Sequence, residues 1–124
     1  MNPFHLSFAV PDLRVAAKFY EDVLGCTRGH NDGAWMDMML FGHQLTLHQA
    51  TTLHPARPID HFGVLLTEPE WRALSERLQG TDIGFAMSPR VSDVGMPSER
   101  GKFLLHDSAG DLLEFKYPAN DATQ

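Results

Sequence analysis

The sequence predicts an α+β fold in which one strand–helix–three-strand unit is used twice, and three observations predict it. Residues 5–10, HLSFAV, and 61–66, HFGVLL, read as matching strands, and each leads into a helical segment that stops at a glycine, Gly25 or Gly80. Residues 42–48, GHQLTLH, then match 110–116, GDLLEFK. An internal repeat explains the whole chain at once, which no single motif does. The overlay sets Glu114 opposite Thr46 and Lys116 opposite His48.

Each element follows from local chemistry. In residues 4–10, Phe4, Leu6, Phe8 and Val10 share one parity and His5, Ser7 and Ala9 the other, the period of a two-faced strand. Pro11 stops it and Asp12 is a helix N-cap. Leu13, Ala16, Ala17, Tyr20, Val23 and Leu24 then recur at helical spacing, predicting a helix of roughly 12 residues before Gly25. Strands are expected over 26–30, 35–40 and 44–49, with turns at Asn31-Asp32-Gly33 and Phe41-Gly42. Residues 50–60, with two prolines and no periodicity, read as a connector. The second unit opens with a strand over 61–66. Thr67 and Glu70 have capping-box spacing, and the helix they open carries Trp71, Leu74 and Leu78. Strands are expected over 83–88, 101–106 and 111–117, followed by a short polar tail over 119–124. The Pro-, Ser- and Gly-bearing loop over 88–100 is long enough for a lid and equally reads as a surface loop.

At 124 residues the chain is expected to form one domain, with module 1 at about 3–50 and module 2 at about 60–118. Ten Lys+Arg against sixteen Asp+Glu give a net charge of -6, without the basic face that nucleic acid requires. No run approaches the roughly 20 apolar residues of a membrane span, and the N-terminus has no signal-peptide pattern. The expectation is a soluble, cytoplasmic protein. Cys26 is the one cysteine, so neither an internal disulfide nor a cysteine-based zinc site is available.

Side-chain parity carries the functional argument, because residues two apart on a strand share a face. If the bulky residues pack on the helices, the opposite face collects His5, Ser7, Gln44, Thr46, His48, His61, Gly63, Glu114 and Lys116. A lone strand histidine is usually structural. Two at equivalent repeat positions with a glutamate at a third, His5, His61 and Glu114, are the ligand types of a mononuclear divalent-metal site with positions left open. Glu114 between Leu113 and Phe115 is also costly to desolvate without a partner. His30, His43 and His54 lie at turns or in the connector and are expected at the surface; His106, at a strand end, could reach the cavity mouth and is not assigned a role.

The opening FHLSFAVPDLRVAAKFYEDVLG and the closing HDSAGDLLEFK resemble the vicinal oxygen chelate superfamily, which includes glyoxalase I, bleomycin-resistance proteins, fosfomycin-resistance enzymes and extradiol dioxygenases. The similarity covers almost all of residues 3–118. It implies two tandem βαβββ modules forming a half-open mixed β barrel with helices outside, and His5, His61 and Glu114 match the family's metal positions. Glyoxalase I enzymes place a carboxylate on the fourth strand, where this chain has Thr46. That departure favours the three-ligand branches, and FGHQLTLHQ and DHFGVLL look most like small predicted extradiol-type dioxygenases.

On that resemblance, Fe(II) held by His5, His61 and Glu114 would chelate two vicinal oxygens of a catechol-like substrate and bind dioxygen beside them. His48 would serve as acid/base and Thr46 and Lys116 as substrate contacts; the competing reading for His48 and Lys116 is a solvated strand end. A glyoxalase-like lyase or resistance transferase using Mn(II), Ni(II) or Zn(II) is the second expectation, and a metal-free small-molecule binding protein of the bleomycin-resistance type the third. Apolar edges, with Trp35, Met36, Met38 and Met39 in need of cover, point to a homodimer, as does the resemblance, and the ligands could then come from one chain or two.

Overall fold

Pro11 and Asp12 make the first corner of the chain. The Asp12 carboxylate accepts from the amides of Arg14 (3.0 Å) and Val15 (3.2 Å), and the Gln49 side chain accepts from Leu13 N and donates to Pro11 O. These bonds satisfy donors that a helix start leaves orphaned. The computed structural model describes residues 3–57 and 59–119; Pro58 of the connector and 120–124 of the expected tail lie outside the described residues.

Two compact units are present, residues 1–59 with 107–111, and residues 60–106 with 112–124. The first holds β1 (His5–Val10), α1 (Leu13–Asp22), β2 (Thr27–Asn31), β3 (Trp35–Leu40) and β4 (His43–Gln49), in the sheet order β1-β4-β3-β2. β1 runs parallel to β4 and the other pairs are antiparallel. α1 lays Leu13, Ala16, Ala17 and Tyr20 over β3 and β4, burying Met36, Met38, Leu45 and Leu47 beneath it. Met36 and Met38 are therefore core, not surface in need of cover, while Trp35 and Met39 on the other face are half-buried. The helix is two residues shorter than the periodicity suggests, 10 against 12, and Gly25 takes the positive φ of 73° that turns the chain into β2. Cys26 is buried, and burial, followed by the charge of Glu21, pushes its thiol up to about 12.

The second unit repeats the plan with β5 (Phe62–Leu65), α2 (Glu68–Gln79), β6 (Phe85–Ser92), β7 (Arg100–His106) and β8 (Leu112–Tyr117), in the order β5-β8-β7-β6. The capping box forms: Glu70 N donates to Thr67 Oγ1 (3.4 Å) and Thr67 N to Glu70 Oε1 (3.0 Å). Trp71 packs on Phe103 and Tyr117, and its indole N–H donates to Phe115 O at 2.9 Å. Phe103 stacks on Phe115 beneath it. An indole so placed buries a large apolar area without leaving its one donor unpaired. This packing fixes which face of the sheet is core. Among the described residues no helix is long and apolar enough to cross a membrane.

The chain between β7 and β8 packs with the first unit. Tyr20 donates its buried hydroxyl to Asp107 Oδ2 at 2.9 Å, and Asp107 Oδ1 accepts from Ala109 N and Asp111 N. Burial first, then the Asp107 charge, pushes the Tyr20 phenol far above its ordinary value, so it stays protonated and donates to Asp107.

The expected long loop is shorter than 88–100, because β6 continues to Ser92. What remains is cross-tied. Asp93 accepts from Ser98 and Arg100, Glu99 accepts from Gly95 N, and Tyr117 donates to Glu99 at 3.0 Å. The Gly95 amide, then the Tyr117 hydroxyl, hold Glu99 below its ordinary 4.5, and Ser98, then Arg100, hold Asp93 below 3.8. Depressed carboxylates contribute stability above their unfolded values and lose it as pH falls through the folded ones. The protection of the Gly95 amide against hydrogen exchange is therefore expected to be constant above pH 5 and to fall below about pH 4. Protection unchanged at pH 3 would show that these ties do not hold the loop.

Candidate functional site

Cross-strand register arranges the polar face of the first sheet in rows. His5, Gln44 and Met39 are neighbours across β1, β4 and β3; Ser7, Thr46 and Asp37 form the next row; Ala9, His48 and Trp35 the one after. His5 is exposed and His48 half-buried. Thr46, 8% exposed, donates its hydroxyl to Asp37 Oδ1 at 2.7 Å. A carboxylate thus stands one strand over from Thr46, and sequence reasoning missed it. The signal was there, because Asp37 alternates with Met36 and Met38 in WMDMML. Gly29 lies close by, where an added Cβ would sit 3.2 Å from Asp37 Cβ.

His48 lines a cavity of about 510 Å³ with Ser7, Ala9, His54 and Arg57. Two of the surface histidines have specific partners: His43 Nδ1 accepts from Phe4 N at 2.7 Å, and the His30 ring stacks on Trp35 at 5.2 Å. His106 is exposed at the end of β7, opposite Leu112.

In the second sheet Gly63 pairs with Glu114, as Ser7 pairs with Thr46 in the first. The register therefore reproduces the overlay of the two halves. Glu114 lies on the face away from α2, its side chain 21% exposed, with Lys116 Nζ 3.7 Å from Oε1. His61 stands just before β5 rather than within it, two residues from Gly63. Its Nδ1 is 2.7 Å from Asp60 Oδ2. The Asp60 carboxylate accepts, which places a proton on Nδ1, so that in the neutral ring Nε2 is the nitrogen with a lone pair to offer. A carboxylate behind a histidine in this way orients metal-binding imidazoles and raises their basicity.

Among the described residues no three of His, Cys, Asp and Glu are gathered closely enough to hold a metal ion. The donors present nevertheless fit a divalent cation by chemistry: a histidine hydrogen-bonded to Asp60 just before β5, and a largely withdrawn carboxylate on the neighbouring β8 of the same unit. His5 belongs to the other unit.

The sequence model of the Glyoxalase/Bleomycin resistance protein/Dioxygenase superfamily matches residues 3–115. Among solved structures, a glyoxalase/bleomycin resistance protein/dioxygenase from Alicyclobacillus acidocaldarius is 27% identical over 99% of this chain and 96% of its own, with a TM-score of 0.80. A lactoylglutathione lyase from Agrobacterium tumefaciens (19% identity, 94% and 92% covered, TM-score 0.72) shares the fold. So does the fosfomycin resistance protein FosX from Listeria monocytogenes (14% identity, 100% and 98% covered, TM-score 0.70). No curated protein matches the chain by sequence. With its strand–helix–three-strand unit present twice and the family pattern running from residue 3 to 115, the chain belongs to the Glyoxalase/Bleomycin resistance protein/Dioxygenase superfamily.

Proposed function

We propose that this protein is a divalent-metal-dependent enzyme of the vicinal oxygen chelate type, an extradiol-like dioxygenase acting on a small aromatic or vicinal-oxygen substrate. The observation that carries the proposal is the His61–Asp60 pair just before β5, with Glu114 on the neighbouring strand β8. It gives two family metal positions a ligand-competent tautomer and a shielded carboxylate. His5 is the third ligand. The metal, with Fe(II) the leading choice and Mn(II), Ni(II) or Zn(II) the others, supplies Lewis acidity and open positions for substrate oxygens.

The chain's own residues do the rest. Thr46, its proton committed to Asp37, keeps oxygen lone pairs to accept from a substrate hydroxyl. His48, half-buried in its cavity, takes the substrate hydroxyl proton on an imidazole nitrogen and returns it later. Lys116 faces a negative substrate group. The working form is a cytoplasmic homodimer.

The test is elemental analysis of protein purified without an affinity tag, together with oxygen consumption on adding a catechol. Near-stoichiometric iron with oxygen uptake is the expected result. Manganese, nickel or zinc without oxygen uptake would move the assignment to a lyase or resistance transferase. No metal after anaerobic loading under reducing conditions would overturn the proposal in favour of a metal-free binding protein.

A further inference from the structure

Three cations lie side by side on the polar face of the second sheet. The register pairs Lys116 on β8 with Lys102 on β7, and Lys102 with Arg90 on β6. Directly opposed residues on neighbouring strands are about 5 Å apart, and like charges so placed repel one another. Lys116 has Glu114 at 3.7 Å, and the nearby Arg100 is bound to Asp93 at 3.0 Å. Among the described residues Arg90 and Lys102 have no ion-pair partner. The row is therefore under-neutralised, in a chain whose net charge is -6.

These side chains surround a space. A cavity of about 350 Å³ is lined by Arg90, Arg100, Lys102, Glu114 and Lys116, with Tyr117 at its edge. It is small for a macromolecule and sized for part of a metabolite. Guanidinium and ammonium groups converging on one cavity recognise an oxyanion, the guanidinium in bidentate fashion. Glu114 on the same wall would repel a bare anion, so the favourable occupant keeps its negative group towards Arg90 and Lys102.

We infer that the row Arg90–Lys102–Lys116 is an oxyanion subsite that selects substrates carrying a carboxylate, phosphate or phosphonate group. The inference builds on the proposed function in one respect, that Glu114 marks the reacting centre. Anion binding by the row does not depend on a metal. The subsite would make the substrate an acid, with its negative group at Arg90 and Lys102 and its reacting oxygens towards Glu114.

The test is a titration of metal-free, isotope-labelled protein at low ionic strength with inorganic phosphate, methylphosphonate and acetate, followed by NMR. Shifts are expected to cluster at Arg90, Lys102 and Lys116 and to weaken with added salt. The anion bound tightest names the substrate's group. The double variant Arg90→Ala/Lys102→Ala is expected to weaken binding about tenfold or more, while Lys102→Arg stays within about threefold of wild type and Lys18→Ala changes nothing. Scattered shifts, or a double variant that binds all three anions like wild type, would overturn the inference. A separate calorimetric titration with a divalent metal keeps the two claims apart. Metal binding without anion binding removes the subsite and leaves the enzyme reading, and anion binding without metal does the reverse.

Discussion

Replacing Gly63 with alanine is expected to lower the melting temperature by about 10 °C, corresponding to about 3 kcal/mol in a domain of this size. A Cβ at Gly63 would run into the backbone of Glu114, meeting its carbonyl oxygen, carbonyl carbon and amide nitrogen. Backbone cannot rotate aside as a flexible side chain can, so β5 and β8 must separate. β5 is a four-residue edge strand whose one partner is β8, in register from Phe62↔Leu113 to Leu65↔Lys116. The separation would act on the middle of that ladder and move His61 relative to Glu114. Gly84→Ala is the matched control, since an added Cβ there meets nothing within 4 Å. Its effect is expected to be neutral or slightly stabilising, through lost freedom in the unfolded chain. A Gly63→Ala protein melting within about 2 °C of wild type would show that the strands part without cost.

Gly63 also illustrates how much the sequence could tell. That Gly63 and Glu114 share a face was legible from strand parity, and the overlay makes them the counterparts of Ser7 and Thr46; that they are register partners is a finding of the structure. That the glycine is sterically required was not legible, because strand separation is a three-dimensional quantity. The order of elements was legible for the same reason, being local and stated twice. The misses have separate causes. Pro89 suggested that the sixth strand ends early, yet β6 is an edge strand with irregular register between Met87 and Arg90, where proline is tolerated. Extending β6 to Ser92 brings Arg90 opposite Lys102, which parity over 83–88 could never have placed. Asp37 was obscured because Met38 and Met39 are both apolar and blur the alternation. Residues 107–111 group with the first unit, where Tyr20 donates to Asp107 across 87 residues of sequence, a pairing that no local pattern encodes.

The proposed metal ligands carry the largest expected functional effect. Alanine at His61 or at Glu114 is expected to weaken binding of a divalent ion by at least about 100-fold, and Asp60→Asn by about tenfold. The ordering follows from position. In the proposed site His61 and Glu114 would supply lone pairs, and losing one of three protein donors would leave water in its place. Asp60 would act through His61: its carboxylate accepts from Nδ1 at 2.7 Å, fixing the tautomer that offers Nε2 to the ion and orienting the ring. An asparagine there presents a neutral amide that holds the same proton less strongly. Because the Asp60 side chain is 96% exposed, its replacement should leave the melting temperature of the apoprotein unchanged, separating a positioning role from a structural one. Competition against a chromophoric chelator reads all three affinities. If His61→Ala and Glu114→Ala both retain wild-type affinity, the ion is held elsewhere and the ligand set is wrong. If they fail while Asp60→Asn binds like wild type, the ligands stand and Asp60 has no part in orienting His61.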